Sequence, residues 1–142
     1  MSIATKAPRA KKDFTILYVD DEQVNLRGFK AVFRRHFNIF VALNGDEALE
    51  VLKNEKIDLL ITDQMMPGIT GTELLEKVHT TNPEIIRMIL SGFIKLDELK
   101  SATGSFGIHD FVSKPWNFEE LKGTFDHLLT TPNAPLRIFH QN

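Results

Sequence analysis

The chain has 142 residues, 42% apolar and 25% charged, enough for one domain with a buried core and too few for two comfortable ones. A formal net charge of -2 gives no general pull toward nucleic acid or anionic membrane, and the lack of cysteine excludes a disulfide framework and thiolate zinc sites. No apolar run reaches transmembrane length and the N-terminus lacks the apolar stretch of a signal peptide, so a cytoplasmic location is expected.

Residues 1–12 carry Lys6, Pro8, Arg9, Lys11 and Lys12 with little apolar content, and are expected to form a flexible basic arm. From Phe14 onward, short apolar runs alternate with segments of helical period, the pattern of βα units around a parallel sheet. The predicted strands are Thr15 to Val19, Ile39 to Ala42, Leu59 to Thr62, Arg87 to Leu90 and Ile108 to Ser113. Between them, Leu26, Phe29, Phe33 and Phe37 recur at the three- and four-residue steps of one helix face. Ala48, Leu49 and Leu52 mark a second helix, opened by Asn44-Gly45-Asp46. Leu74, Leu75 and Val78 mark a third, with Thr70 or Thr72 as N-cap and Pro83 beyond its end. Leu96, Leu99 and Ala102 mark a shorter fourth that Gly104 or Gly107 would end, and Phe118, Leu121, Phe125 and Leu128 a fifth. The tail from 131 to 142, with Pro132 and Pro135, reads as a free end or the start of a linker.

Five βα units with right-handed crossovers predict an α/β, flavodoxin-like doubly wound parallel sheet of strand order 2-1-3-4-5. In that order the first and third strands are neighbours. Asp20 and Asp21, after the first, would then meet Asp63, at the end of the third, where open α/β sheets bind their ligands. Three such carboxylates repel by on the order of several kcal/mol, so a cation is required. Magnesium, which takes oxygen ligands from few carboxylates and keeps waters for a phosphate, suits the set, with manganese as a substitute. Lys114, after the fifth strand, supplies the remaining positive charge, and Ser91, after the fourth, a hydroxyl donor. Each has an ordinary reading: acids at a helix N-terminus, a turn aspartate before Pro67-Gly68, a solvated lysine, a turn serine. Their joint placement at successive strand ends argues instead for a phosphoryl-accepting site. His36, His79, His109, His127 and His140 lie on different elements without metal-ligand spacing, and surface or boundary positions are expected.

The stretches I-L-Y-V-D-D-E, L-L-I-T-D-Q-M-M-P-G-I-T-G, I-L-S-G and H-D-F-V-S-K-P-W resemble the receiver domain of two-component response regulators, over residues 13–130. The resemblance implies phosphotransfer from a histidine kinase or phosphotransfer protein to Asp63. It implies metal held by Asp20, Asp21, Asp63 and the backbone carbonyl of Met65, a phosphate-pairing Lys114, and Ser91 and Phe111 as switch residues. It also implies a cis Lys114–Pro115 bond, and places Met65 and Phe93 where they set the lifetime of the phosphoform. The output face would be the fourth helix, fifth strand and fifth helix, with Leu96, Leu99, Phe106 and Trp116 as apolar contacts for an output domain, a downstream protein or a phosphorylation-dependent homodimer. No nucleic-acid or membrane contact is expected of this segment, which is either a stand-alone receiver or part of a longer regulator. The alternatives are a phosphorylation-independent docking module and an aspartyl-phosphate phosphatase. The latter's family places its nucleophile after the first strand with a second acid two residues on, unlike adjacent Asp20-Asp21.

Overall fold

The computed structural model describes residues 13–92 and 108–131. The apolar runs form β1 (Thr15–Val19), β2 (Asn38–Ala42), β3 (Leu59–Asp63), β4 (Ile86–Ser91) and β5 (Asp110–Ser113). All pairings are parallel and the order is β2-β1-β3-β4-β5, as expected. β1 and β3 run side by side from Ile16 opposite Leu59 to Val19 opposite Thr62, so Asp20 and Asp63 leave the sheet at the same edge.

Both faces of the sheet are covered, which explains why its inner strands read as continuous apolar runs. On one face, Ile16, Tyr18, Leu59 and Ile61 pack against α1 (Gln23–Phe33) and the final helix (Phe118–Thr130), through Phe29, Phe33, Leu121 and Phe125. On the other, Leu17, Val19 and Leu60 meet α2 (Gly45–Asn54) and α3 (Gly71–Thr81), through Ala48, Leu74, Leu75 and Val78. Each fully buried Phe or Leu contributes roughly 1.5–3 kcal/mol of transfer free energy, so these two layers hold the strand ends in register. No helix among the described residues is long and apolar enough to cross a membrane.

Element ends differ from the sequence reading in places. α1 stops at Phe33, where the chain tightens into a turn with the His36 and Phe37 amides donating to the Phe33 carbonyl. Phe37 is still buried, but from the turn rather than from the helix. β2, β3 and β4 extend past their apolar cores to Asn38, Asp63, Ile86 and Ser91, whereas β5 begins at Asp110, two residues later than its apolar run. Thr70 rather than Thr72 caps α3, accepting from the Glu73 amide while the Glu73 carboxylate accepts from the Thr70 amide. The basic arm, the fourth predicted helix with Leu96, Leu99 and Ala102, the site and contact candidates Phe93 and Phe106, and the tail beyond 131 lie outside the described residues.

Candidate functional site

Asp20, Asp21 and Asp63 come together at the C-terminal edge of the sheet, each offering a carboxylate oxygen within 4.8 Å of the others. Asp20 is fully buried, Asp63 nearly so, and Asp21 exposed. Lys114 reaches across from the end of β5, its Nζ lying 3.0 Å from Asp20 Oδ2 and 3.3 Å from Asp63 Oδ2. The Lys114–Pro115 peptide bond is cis.

The two buried acids are supplied very differently. Asp20 Oδ1 accepts from the Glu22 amide at 2.9 Å, while Oδ2 accepts from the Tyr18 hydroxyl at 2.6 Å, from Lys114 at 3.0 Å and from Asn25 Nδ2 at 3.2 Å. Burial alone would raise its carboxyl, but the bonds from Tyr18, Glu22 and Lys114 outweigh burial and hold it below the ordinary carboxylate value. At Asp63 the balance goes the other way. Burial raises its carboxyl, Lys114 pulls it down, the negative charge of Asp20 raises it again, and the result lies above the usual value. Its Oδ1 accepts from the Gln64 amide at 2.9 Å. Lys114, despite partial burial, is held above the ordinary lysine value by both carboxylates. Asp63 is thus the carboxylate with the less complete set of donors.

Local sequence fixes the loop behind Asp63. The Gln64 carbonyl accepts from the Gly71 amide at 3.0 Å, and its Oε1 from the Thr72 amide at 2.8 Å. The Glu73 amide donates to Thr70 Oγ1 at 3.2 Å and the Leu74 amide to the Thr70 carbonyl at 2.9 Å. All four first-turn amides of α3 are therefore taken, so this helix end offers no free donor toward Asp63. Gly71 has to be glycine, because a Cβ there would collide with the Asp63 carbonyl oxygen. Gly68 turns the loop with a φ of 82°, in the left-handed region. Met65 in this loop is 64% exposed.

Ser91 is buried at the end of β4, where its carbonyl accepts from the Lys114 amide at 3.0 Å. Phe111 is buried in the α2–α3 layer, with Ile89 and Leu75. Trp116 packs against Phe33 and Phe29, at ring-centroid distances of 5.4 and 6.0 Å. A groove of about 480 Å³ is lined by Tyr18, Asn25 and Lys114, which all donate to Asp20 Oδ2, together with Val24, Pro115 and Trp116. A groove of about 510 Å³ runs along the outside of α3 past Glu73, Lys77 and Thr80, and includes none of the site carboxylates. His36, His79 and His109 are half-buried and His127 exposed, each outside the acidic cluster, and His140 lies outside the described residues.

Tyr18, Asn25 and Gln64 were not singled out by the sequence reading. A signal for the first was present: residues i and i+2 of a strand share a face, which puts Tyr18 beside Asp20. Asn25 and Gln64 act through a helix turn and a folded-back loop, and periodicity is silent about both.

A family model described as response regulator receiver domain matches residues 16–126. The chain is similar to the hydrogenase transcriptional regulatory protein HoxA of Cupriavidus necator, 31% identical over 120 residues, 84% of this chain and 23% of that protein. It is also 28% identical over 127 residues to a cyclic di-GMP phosphodiesterase of Thermotoga maritima, 89% of this chain and 32% of that one. It therefore spans less than a third of either relative. Among solved structures, a response regulator receiver domain protein (CheY-like) from Methanospirillum hungatei superposes with a TM-score of 0.78 at 27% identity, covering 82% of this chain and 94% of the other.

Proposed function

The chain belongs to the response regulator receiver domain family of two-component signalling, and on that premise we propose that it accepts a phosphoryl group on Asp63. The observation that carries the reading is Lys114 Nζ lying between Asp20 and Asp63, within 3.0 and 3.3 Å of their Oδ2 atoms. Asp63 Oδ attacks the phosphorus of a phosphohistidine on a kinase or phosphotransfer protein. The N–P bond breaks as the O–P bond of an acyl phosphate forms. Lys114 pairs with the transferred oxygens, the electrostatic role that phosphoryl-transfer sites rely on.

The carboxylates fit a hard divalent cation: three oxygen donors within 4.8 Å, two of them buried and one exposed to admit waters. Asp21, Asp63 and the Met65 carbonyl would hold magnesium directly, and Asp20 largely through water. When bound, the ion neutralises carboxylate charge and polarises the oxygens of the transferred group. Four bonds already engage Asp20, which supports its indirect role.

Ser91 and Phe111 form the switch, and the face made by β5, the final helix and the segment before β5 passes the change to an output domain or downstream protein. The functional unit is the receiver over residues 13–130, flanked by the arm 1–12 and the segment 131–142. Exposed Met65 gives an attacking water no charged or strongly hydrogen-bonding partner, so the phosphoform is long-lived. Timing dephosphorylation in Met65→Asn tests this, and an unchanged rate would count against it.

The decisive experiment is incubation with acetyl phosphate, with and without Mg²⁺, followed by intact mass. A labile gain of one phosphoryl group that needs Mg²⁺ and is lost in Asp63→Asn is expected. If no gain occurs and beryllofluoride with Mg²⁺ also fails to bind, the domain docks its partners without phosphorylation.

A further inference from the structure

The Asp20 carboxylate cannot turn to solvent when a donor leaves it, because it is fully buried. Its Oδ2 accepts from three groups of different mobility. Lys114 arrives on a partly exposed side chain that also lies 3.3 Å from Asp63, and Asn25 is the most distant donor at 3.2 Å. The Tyr18 hydroxyl is nearest, at 2.6 Å, and its ring is immobilised: 1% exposed and stacked on Phe29 at a centroid distance of 4.3 Å. Phe29 is in turn packed against Phe33 and Phe125. Phenylalanine would fill the same place in β1 without burying a phenol, so the hydroxyl's contribution is its bond to Asp20.

A phosphoryl group on Asp63 adds negative charge beside Lys114 and draws its N–H donors away from Asp20. A buried carboxylate that loses a donor pays a desolvation penalty unless its remaining donors compensate, and an uncompensated loss raises the free energy of the phosphorylated state. We propose that Tyr18 is a positioning residue for Lys114: its hydroxyl keeps Asp20 satisfied, so that the lysine can leave Asp20 for the phosphoryl group. The proposal rests on the reading of Asp63 as phosphoryl acceptor. Asn25 plays the same part more weakly from α1.

The test is calorimetry on the wild-type chain and on Tyr18→Phe, titrating Mg²⁺ alone and then beryllofluoride, a phosphoryl mimic, at saturating Mg²⁺. Tyr18→Phe should weaken beryllofluoride binding about tenfold, about 1.4 kcal/mol, and leave Mg²⁺ affinity within about twofold. Asn25→Ala should weaken it less. Unchanged beryllofluoride affinity, with or without a loss of thermal stability, would make the hydroxyl purely structural. An equal loss in Mg²⁺ affinity would mean that it acts on the metal side of Asp20, and either outcome overturns the proposal. Should Tyr18→Phe not fold, NMR of the wild-type chain decides. The Tyr18 hydroxyl proton, buried and bonded to Asp20, should exchange slowly enough to be observed and move downfield on adding beryllofluoride, and an unmoved resonance would overturn the inference. Failure of the wild-type chain to bind beryllofluoride would instead overturn the phosphoryl-acceptor reading, and this inference with it.

Discussion

Removing the Lys114 ammonium would leave Asp20 and Asp63 facing each other without the cation that pairs with both among the described residues, and would take that counter-charge from a transferred phosphoryl group. Lys114→Ala should therefore slow phosphorylation by acetyl phosphate on the order of a hundredfold, the usual cost of deleting one preorganised donor at a site of developing charge. Intact mass against time measures it, and a rate within a few-fold of wild type would remove the lysine from the mechanism. Asp20, Asp63 and Lys114 were legible in the sequence because each ends an apolar run, and strand order then does the rest. Tyr18 was not, since a tyrosine within Ile16-Leu17-Tyr18-Val19 reads as core packing until the pleat puts its hydroxyl against Asp20. Gln64 was hidden for another reason: its side-chain partner, Thr72, is eight residues away across a turn whose closure no periodicity records.

At the scale of elements, the β3–α3 loop and the β4–β5 junction carry contrasting constraints. In the loop, Gly71 is fixed by space and Gly68 by backbone angle, since a Cβ at 68 would meet nothing within 4 Å. Gly68→Ala should cost about 1–2 kcal/mol for the left-handed residue. Gly71→Ala should cost about 3 kcal/mol or more, because the obstacle is backbone and forced overpacking already costs about 1–3 kcal/mol where flexible side chains can yield. Urea denaturation of both variants checks the ranking, and equal costs would refute it. At the junction, His109 Nδ1 accepts from the Arg87 amide at 3.1 Å, and the His109 amide donates to the Arg87 carbonyl at 2.8 Å. The paired bonds bring the His109 backbone onto β4 before β5 begins.

Burial, with Arg87 and His79 nearby, pushes the His109 imidazole down to about 4. The unfolded chain therefore binds the extra proton first. The stability contribution of neutral His109 is complete above about 6.5 and is lost as the pH falls toward about 4. Between about pH 7 and about pH 5 this amounts to on the order of 2 kcal/mol. His109→Asn keeps an acceptor for the Arg87 amide without the titration, so its denaturation midpoint should fall less over that interval. Parallel pH profiles would place the acid sensitivity elsewhere. The position of β5 was readable from Phe111 and Val112. Its start was not, because Ile108 is buried just outside the ladder and extended the apolar run.

For the whole molecule, an ion held by the three carboxylates would couple its binding to folding, since a folded chain gathers oxygens that an unfolded one disperses. Mg²⁺ at about a hundred times its Kd should stabilise the domain by about 2.7 kcal/mol, and thermal unfolding in Mg²⁺ against EDTA measures the gain. Asp21→Asn should abolish most of that gain yet leave the EDTA midpoint nearly unchanged, because Asp21 is the exposed member. A full Mg²⁺ effect in the variant would put the ion elsewhere. The architecture itself was legible because both faces of the sheet are covered, so buried strands and amphipathic helices alternate plainly along the chain.

The same strand order sets a schedule. β2, β1 and β3 are adjacent in the sheet and lie within residues 15–63, so the first half of the chain holds a contiguous block that can assemble while the ribosome is still at work. That block already contains Asp20 and Asp63, but Lys114 follows about 50 residues later, about 3 to 10 s at a synthesis rate of about 5–20 residues per second. A nascent chain that pairs its first three strands early thus holds its acids together before the lysine exists, and takes their counter-charge from cellular cations or from protons until translation delivers it.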